Sequence, residues 1–221
     1  MLGLFSRAAA SIQTLLDIVL PRNERVIRAD AYTLEDIAVN PQVHEASRIA
    51  ITTLLSYRDT VVEDLIRAVK YDGSRHAAGL LAEVLAEYLR EEIASLHAFS
   101  TRSIILIPLP LHVRRAQERG FNQIAFIMEQ LPEEFRDGSL ARIEHDALMR
   151  IRETRPQTRL TRAERLVNVK DAFAVRDIAA ALDCHAFVID DVTTTGATLA
   201  EAVRPLQGLN IPVSPLALAK A

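Results

Sequence analysis

The sequence predicts an α/β protein with a mostly parallel sheet and helices on both faces. Three observations carry that expectation. Short apolar runs of strand length alternate with longer runs patterned at helical spacing. One run, residues 187–189, stops at Asp190 and Asp191, passes through a hydroxyl-rich turn, and leads to Leu199, Ala202, Val203 and Leu206 at i, i+3, i+4, i+7 spacing. The length, 221 residues with 49% of them hydrophobic, suits one well-filled α/β domain plus an extension. We divide the chain into an N-terminal helical extension, residues 1–56, and an α/β domain, residues 57–221.

Taken in order, the chain opens with an apolar stretch whose Ile12, Leu15, Leu16, Val19 and Leu20 share one helical face, and Pro21 ends it. Arg7, Gln13 and Asp17 interrupt it, so it predicts neither a membrane span nor a good signal peptide. Its apolar face predicts a cover for the sheet or a contact in a homodimer. Residues 21–30 read as charged and irregular, Asn40-Pro41 as a turn, and residues 44–55 as a short helix or a strand. Val62, Leu65, Ile66 and Val69 predict a helix from Thr60 to near Lys70, closed by an Asp72-Gly73 turn. Leu81, Val84, Leu85 and Tyr88 predict a second helix over residues 76–96. Residues 103–107 read as a buried strand stopped by Pro108, Leu109 and Pro110. A helix from near Arg119 turns Phe121, Ile124, Ala125 and Met128 inward, and residues 132–138 form a loop. Residues 148–152 alternate as a strand, 154–161 read as a mobile loop around Pro156, and 162–167 as a short helix. After the acidic strand and its helix, Gly208 predicts a stop, and residues 212–219 a last strand.

The segment FVIDDVTTTGAT holds the most chemistry. Carboxylates at the carboxyl end of a buried strand face the crevice where open α/β sheets bind ligands. Ionised Asp190 and Asp191 accept hydrogen bonds only, which suits the neighbouring hydroxyls of a sugar. In the loop Thr193, Thr194, Thr195, Gly196, Ala197 and Thr198 the small side chains let backbone N–H groups converge on an anion, with threonine hydroxyls as further donors. The helix that follows directs its N-terminus at that loop, which favours a phosphate. Alone, an acidic pair is often a helix cap and a threonine run an ordinary surface loop. In this order they predict a site for a phosphorylated sugar.

Arginine is concentrated between Arg114 and Arg165, and arginine suits bidentate contact with phosphate. Arg114, Arg115 and Arg119 follow the proline-stopped strand and are candidates for a second anion contact, against the alternative of a solvated helix face. The net charge of -3 gives no global push towards nucleic acid. The single cysteine, Cys184, excludes an intramolecular disulfide and fits a reducing cytoplasm, and the six histidines show no metal-ligand spacing.

The acidic pair and the sequence TTGAT resemble the signature of the type I phosphoribosyltransferases. That resemblance implies their α/β fold, ribose hydroxyls on Asp190 and Asp191 as the catalytic pair, and the 5′-phosphate of phosphoribosyl pyrophosphate on Thr193, Thr194, Thr195, Gly196, Ala197 and Thr198. The segment RRAQERGFNQ, the stretch of residues 148–173, and Lys70 with Tyr71 narrow it further. Residues 55–221 resemble the ComF/GntX family of phosphoribosyltransferase-like proteins linked to natural competence. The resemblance implies pyrophosphate on Arg114, Arg115 and Arg119, a flexible closing loop carrying Arg155, Gln157 and Arg165, and Mg²⁺ held through the ligand rather than directly by protein. Many members begin with a zinc module of paired CxxC motifs, which a chain with one cysteine does not hold. The acceptor is unidentified. Two readings stay open: transfer of the phosphoribosyl group, or a non-catalytic sensing or scaffold module among competence-machinery proteins, with single-stranded DNA as a further partner. The arginine segment lacks the interleaved aromatics of a base-stacking platform.

Overall fold

The computed structural model describes residues 24–111, 120–152, 170–176 and 183–221. Helix α1 (Glu24–Ala31) leads to a hairpin of β1 (Gln42–Ala46) and β2 (Ile49–Ser56). Helix α2 (Thr60–Arg67) runs through a π-helical segment (Ala68–Asp72) into the long helix α3 (Arg75–His97). Then come β3 (Ser103–Pro108), α4 (Gln123–Met128), β4 (Arg142–Ile143), and the strands β5 (Leu148–Arg150) and β6 (Phe173–Val175). The chain closes with β7 (Cys184–Thr193), α5 (Ala197–Gln207) and β8 (Val213–Lys220).

Six strands form the main sheet in the order β1-β2-β8-β7-β3-β4. Every junction is parallel except β1 with β2, so the expected mostly parallel sheet is present, with an antiparallel edge. β5 and β6 pair antiparallel as a separate ribbon. Strand alternation divides the core. On one face, α2, α3 and α4 cover Leu54, Ile104, Leu106, Phe187, Ile189 and Leu216. On the other, α5 and the β5–β6 ribbon cover Ile105, Ile107, Val188 and Ala217.

Local chemistry sets the boundaries. Asp59 caps α2 by accepting from Val61 N–H (2.8 Å), and Ser74 caps α3 by accepting from Ala77 N–H (3.2 Å). α4 starts at Gln123, later than the apolar spacing suggests, because Asn122 caps it by accepting from Ile124 N–H at 3.2 Å. Phe121 therefore stands before the helix, its ring edge-on to Phe126. Gly208 keeps a right-handed φ of -60°; the reversal after α5 falls to Asn210, whose φ is 59°. The β1–β2 turn, Ser47-Arg48, has both φ values positive, at 52° and 66°, the geometry of a tight two-residue hairpin. Among the described residues no helix is long and apolar enough to cross a membrane.

Helix α1 is anchored by charge. Arg28 donates through Nε to Asp64 Oδ2 at 2.8 Å and through Nη2 to Oδ1 at 3.0 Å. Tyr32 Oη donates to the same carboxylate at 3.3 Å, and Arg25 Nε lies 3.6 Å away. Asp64 is buried on α2, so this knot fastens α1 to the domain that follows it.

The hydrogen-bonded Arg28 guanidinium holds the Asp64 carboxyl below the ordinary carboxylate range. A depressed folded pKa means the stabilisation is complete above the unfolded value and is lost as pH falls through the folded one. Asp64→Asn is expected to lower the thermal midpoint by several degrees at neutral pH and to have little effect in strong acid. Calorimetry across that range checks it, and equal losses at both ends would contradict it.

Candidate functional site

The main sheet reverses its winding between β3 and β7. From β3 the chain passes through α4, on one face, to β4 on the far side. From β7 it passes through α5, on the opposite face, to β8 in the other direction. The carboxyl ends of β3 and β7 thus part at a topological switch point, where open α/β sheets form their ligand crevice. Asp190 and Asp191 stand near that end of β7, and Leu109 follows β3 and donates its N–H to Ile189 O at 2.8 Å.

The two carboxylates differ in surroundings. Both are half-buried. Asp190 accepts from Asp191 N–H at 2.9 Å, and Asp191 accepts from Val192 N–H at 2.8 Å. Burial, and then the negative charge of Asp191, push the Asp190 carboxyl well above the usual carboxylate range, while Arg150 on β5 opposes the rise. Asp191 lies within Coulombic reach of Tyr57, whose phenol is pushed up chiefly by burial. Tyr57 is fixed just past β2 by its N–H bond to Lys220 O at 2.8 Å. The pair therefore lies within Coulombic reach of a guanidinium from the β5–β6 ribbon and of a phenol just past β2.

The threonine loop is built from its own hydroxyls. Thr193 is buried, and its Oγ1 accepts from Gly196 N–H at 3.1 Å, bracing the turn from inside. Thr195 Oγ1 accepts from Ala197 N–H at 3.4 Å, a long bond that an anion could replace. Thr194 is exposed, and Thr195 and Thr198 are half-exposed at the start of α5. Gly196 is left-handed (φ 75°) as the residue that caps α5. A Cβ there would lie 2.5 Å from Ile51 Cδ1 and 2.7 Å from Ala46 Cβ, so the loop seats directly on the β1–β2 hairpin. Glycine is required for conformation and for space.

The structure thus gathers Asp190, Asp191, Thr194, Thr195, Gly196, Ala197 and Thr198 at one edge, with Thr193 beneath them. Arg114, Arg115 and Arg119, and Arg155, Gln157 and Arg165, lie outside the described residues. The second set falls between β5 and β6, which bring the ends of that segment together; Ile151 N–H donates to Ala172 O at 2.9 Å. Sequence reasoning passed over Arg150 and Tyr57. Their Coulombic reach to the acidic pair depends on how β5 pairs with β6 and β2 with β8, and neither pairing leaves a local signal. No group of three or more His, Cys, Asp or Glu suited to a metal occurs among the described residues.

No family model matches the sequence. Individual relatives do. The chain is 31% identical over 146 residues to the DNA utilization protein YhgH of Escherichia coli O6:H1, covering 64% of this chain and 59% of the relative. It is 29% identical over 156 residues to competence protein ComFC of Bacillus subtilis, covering 70% of this chain and 56% of the relative. It is 31% identical over 112 residues to competence protein F of Haemophilus influenzae, covering 48% and 45%. The similarity to these competence-associated proteins is at family level, and the chain spans about half of the length of the curated relatives it matches.

Two consequences follow for the free protein. Gly196→Ala is expected to cost about 1–3 kcal/mol in denaturant unfolding, from its left-handed backbone and the clash with Ala46. Shortening Ile51 should not restore it. Asp190→Asn should have the opposite sign. A carboxyl whose folded pKa is raised is penalised once it ionises: the penalty is absent in acid, grows as pH rises through the ordinary carboxylate range, and is complete above the raised value. The asparagine is thus more stable than the parent at neutral pH, with the gap closing in acid. A parent at least as stable across that range contradicts it.

Proposed function

We propose that the chain binds phosphoribosyl pyrophosphate with Mg²⁺ at the carboxyl edge of β7 and transfers its phosphoribosyl group to an acceptor. The observation that carries this reading is the meeting, at the switch point, of two adjacent carboxylates with a threonine loop that opens an eleven-residue helix. Carboxylates are the natural partners of a diol, and a loop at a helix N-terminus is the natural partner of a phosphate. A sugar carrying both groups on neighbouring carbons and at its terminus fits both at once. The sheet order and the placement of helices on both faces agree with a type I phosphoribosyltransferase fold.

In the reaction, the bond from C1 of the ribose to the pyrophosphate oxygen breaks, a bond from C1 to the acceptor forms, and the acceptor loses a proton. Asp190 and Asp191 orient the ring and set negative potential beside the positive charge that develops at C1. The hydroxyls of Thr194, Thr195 and Thr198, with the start of α5, hold the 5′-phosphate, and Thr193 and Gly196 shape that loop. The two carboxylates at the crevice suit Mg²⁺ carried in by the ligand, since this ion takes few protein carboxylates and keeps substrate oxygens. Bound there, it supplies neutralisation of the pyrophosphate charge. Arg114, Arg115 and Arg119 add to that neutralisation, and Arg155, Gln157 and Arg165 belong to the segment that closes over the ligand. The similarity to proteins named for competence and DNA utilization supports a role for this activity in the handling of DNA.

Phosphoribosyl pyrophosphate with Mg²⁺ is expected to raise the thermal midpoint, the stabilisation reaching about 2.7 kcal/mol at a hundredfold excess over Kd. Asp190→Asn combined with Asp191→Asn should abolish the shift while the protein stays folded. Absence of any shift in the parent at millimolar ligand defeats the reading. Pyrophosphate release on addition of a panel of acceptors then separates turnover from binding alone.

A further inference from the structure

Gln123 opens α4 and is 3% exposed, yet its side-chain Nε2 finds no hydrogen-bond partner among the described residues. A buried donor without a partner is rare and costly, and calls for a physical reason. The position of this one is fixed closely. Asn122, one residue earlier, donates through Nδ2 to Leu109 O at 3.0 Å. Leu109 donates its N–H to Ile189 O at 2.8 Å, and Ile189 directly precedes Asp190. Two hydrogen bonds therefore tie the start of α4 to the strand that carries the acidic pair. Gln123 thus opens a helix that packs on the face of the sheet opposite α5 and starts next to the carboxyl ends of β3 and β7.

The two faces give the donor its role. On the proposed function, a ligand with its 5′-phosphate at the start of α5 and its diol at Asp190 and Asp191 would extend its C1 substituent away from α5. In phosphoribosyl pyrophosphate that substituent is the pyrophosphate, and the β3–α4 side of the strand ends is where it would then lie. A pyrophosphate oxygen accepts hydrogen bonds and a carboxamide nitrogen donates them. A neutral donor also leaves the local charge unchanged when the pyrophosphate departs.

We propose that Gln123 is a substrate-positioning residue that reads the pyrophosphate end of the ligand through its buried carboxamide. This rests on the function proposed above. It is distinct from the arginine contacts, since it comes from the first turn of α4 and carries no charge.

The test compares two ligands on one variant. Gln123→Met keeps the shape of the side chain and removes the donor. Its ligand-free midpoint is expected to equal or exceed that of the parent, because an unsatisfied group has been removed. The midpoint shift with phosphoribosyl pyrophosphate and Mg²⁺ should fall, with affinity about tenfold weaker in calorimetric titration. The shift with ribose 5-phosphate, which lacks the pyrophosphate, should be unchanged. A variant that keeps parental affinity for both ligands overturns the proposal, as does an equal loss for both. Gln123→Ala serves as the second variant; if neither folds, the carboxamide is structural and the proposal is wrong. A parent that responds to neither ligand instead defeats the reading of the whole site, an outcome distinct from all of these.

Discussion

Two carboxylates on consecutive residues at the end of a buried strand repel each other and lose hydration together. Most of what is particular about this molecule is a response to that problem. Burial pushes the Asp190 carboxyl well above the usual carboxylate range, with the charge of Asp191 adding to the effect. Arg150 brings a positive charge from a separate two-stranded ribbon, and the amides of Asp191 and Val192 donate inward to the two side chains. None of these measures fully removes the cost in the free protein. On the proposed function, a ligand that brings hydroxyl donors and a cation to the same place would remove more of it.

The sheet makes such a site reachable from both faces. β7 lies between β8 and β3, so its carboxyl end is central rather than at an edge of the sheet. α5 descends on one face and α4 on the other, so a ligand lying across the strand end meets elements from both. The loop that opens α5 is pressed onto the β1–β2 hairpin at Ile51 and Ala46. The antiparallel edge of the sheet thereby supports the threonine-loop end of the crevice. A change in that hairpin would be felt at Gly196 before it was felt at the acidic pair.

How far the sequence disclosed this depends on whether the cause of each element is local. β3, β7, α3, α5 and β8 announce themselves by apolar runs and helical spacing, and their cores are the residues that end buried. The hairpin of β1 and β2 did not, because its turn is Ser47-Arg48, with both residues left-handed and no glycine or asparagine to mark it. β4 has two residues, and β6 three, too few for any period to show. α1 reads as a charged irregular stretch because the reason it is a docked helix lies in Asp64, far along the chain. At the site, the acidic pair and the loop were legible as a motif, since strand, turn and helix are adjacent in sequence. Arg150, Tyr57 and the unpartnered amide of Gln123 come into view only through pairing and packing between distant segments.

The distribution of unsatisfied chemistry is itself an argument for where function resides. Elsewhere, buried charge is answered: Asp64 is held by Arg28 and Tyr32, and Glu201 accepts from Arg204 at 3.0 Å and from Asp171 N–H at 3.3 Å. Other left-handed residues, such as Ser47, Arg48 and Asn210, lie in turns that require the geometry. Around the switch point the pattern changes. A half-buried carboxyl adjoins another carboxyl, and an amide donor is buried with nothing among the described residues to receive its hydrogen. Each has a near-isosteric substitute, asparagine for Asp190 and methionine for Gln123, that would remove the cost without disturbing the packing. A fold selected for stability alone would have no use for either expense, and the two occur on elements that hydrogen bonds tie together at the carboxyl ends of β3 and β7. They are explained together if a ligand with hydroxyls at one point and acceptor oxygens at another completes both, so that the destabilised groups of the free protein become the contacts of the complex.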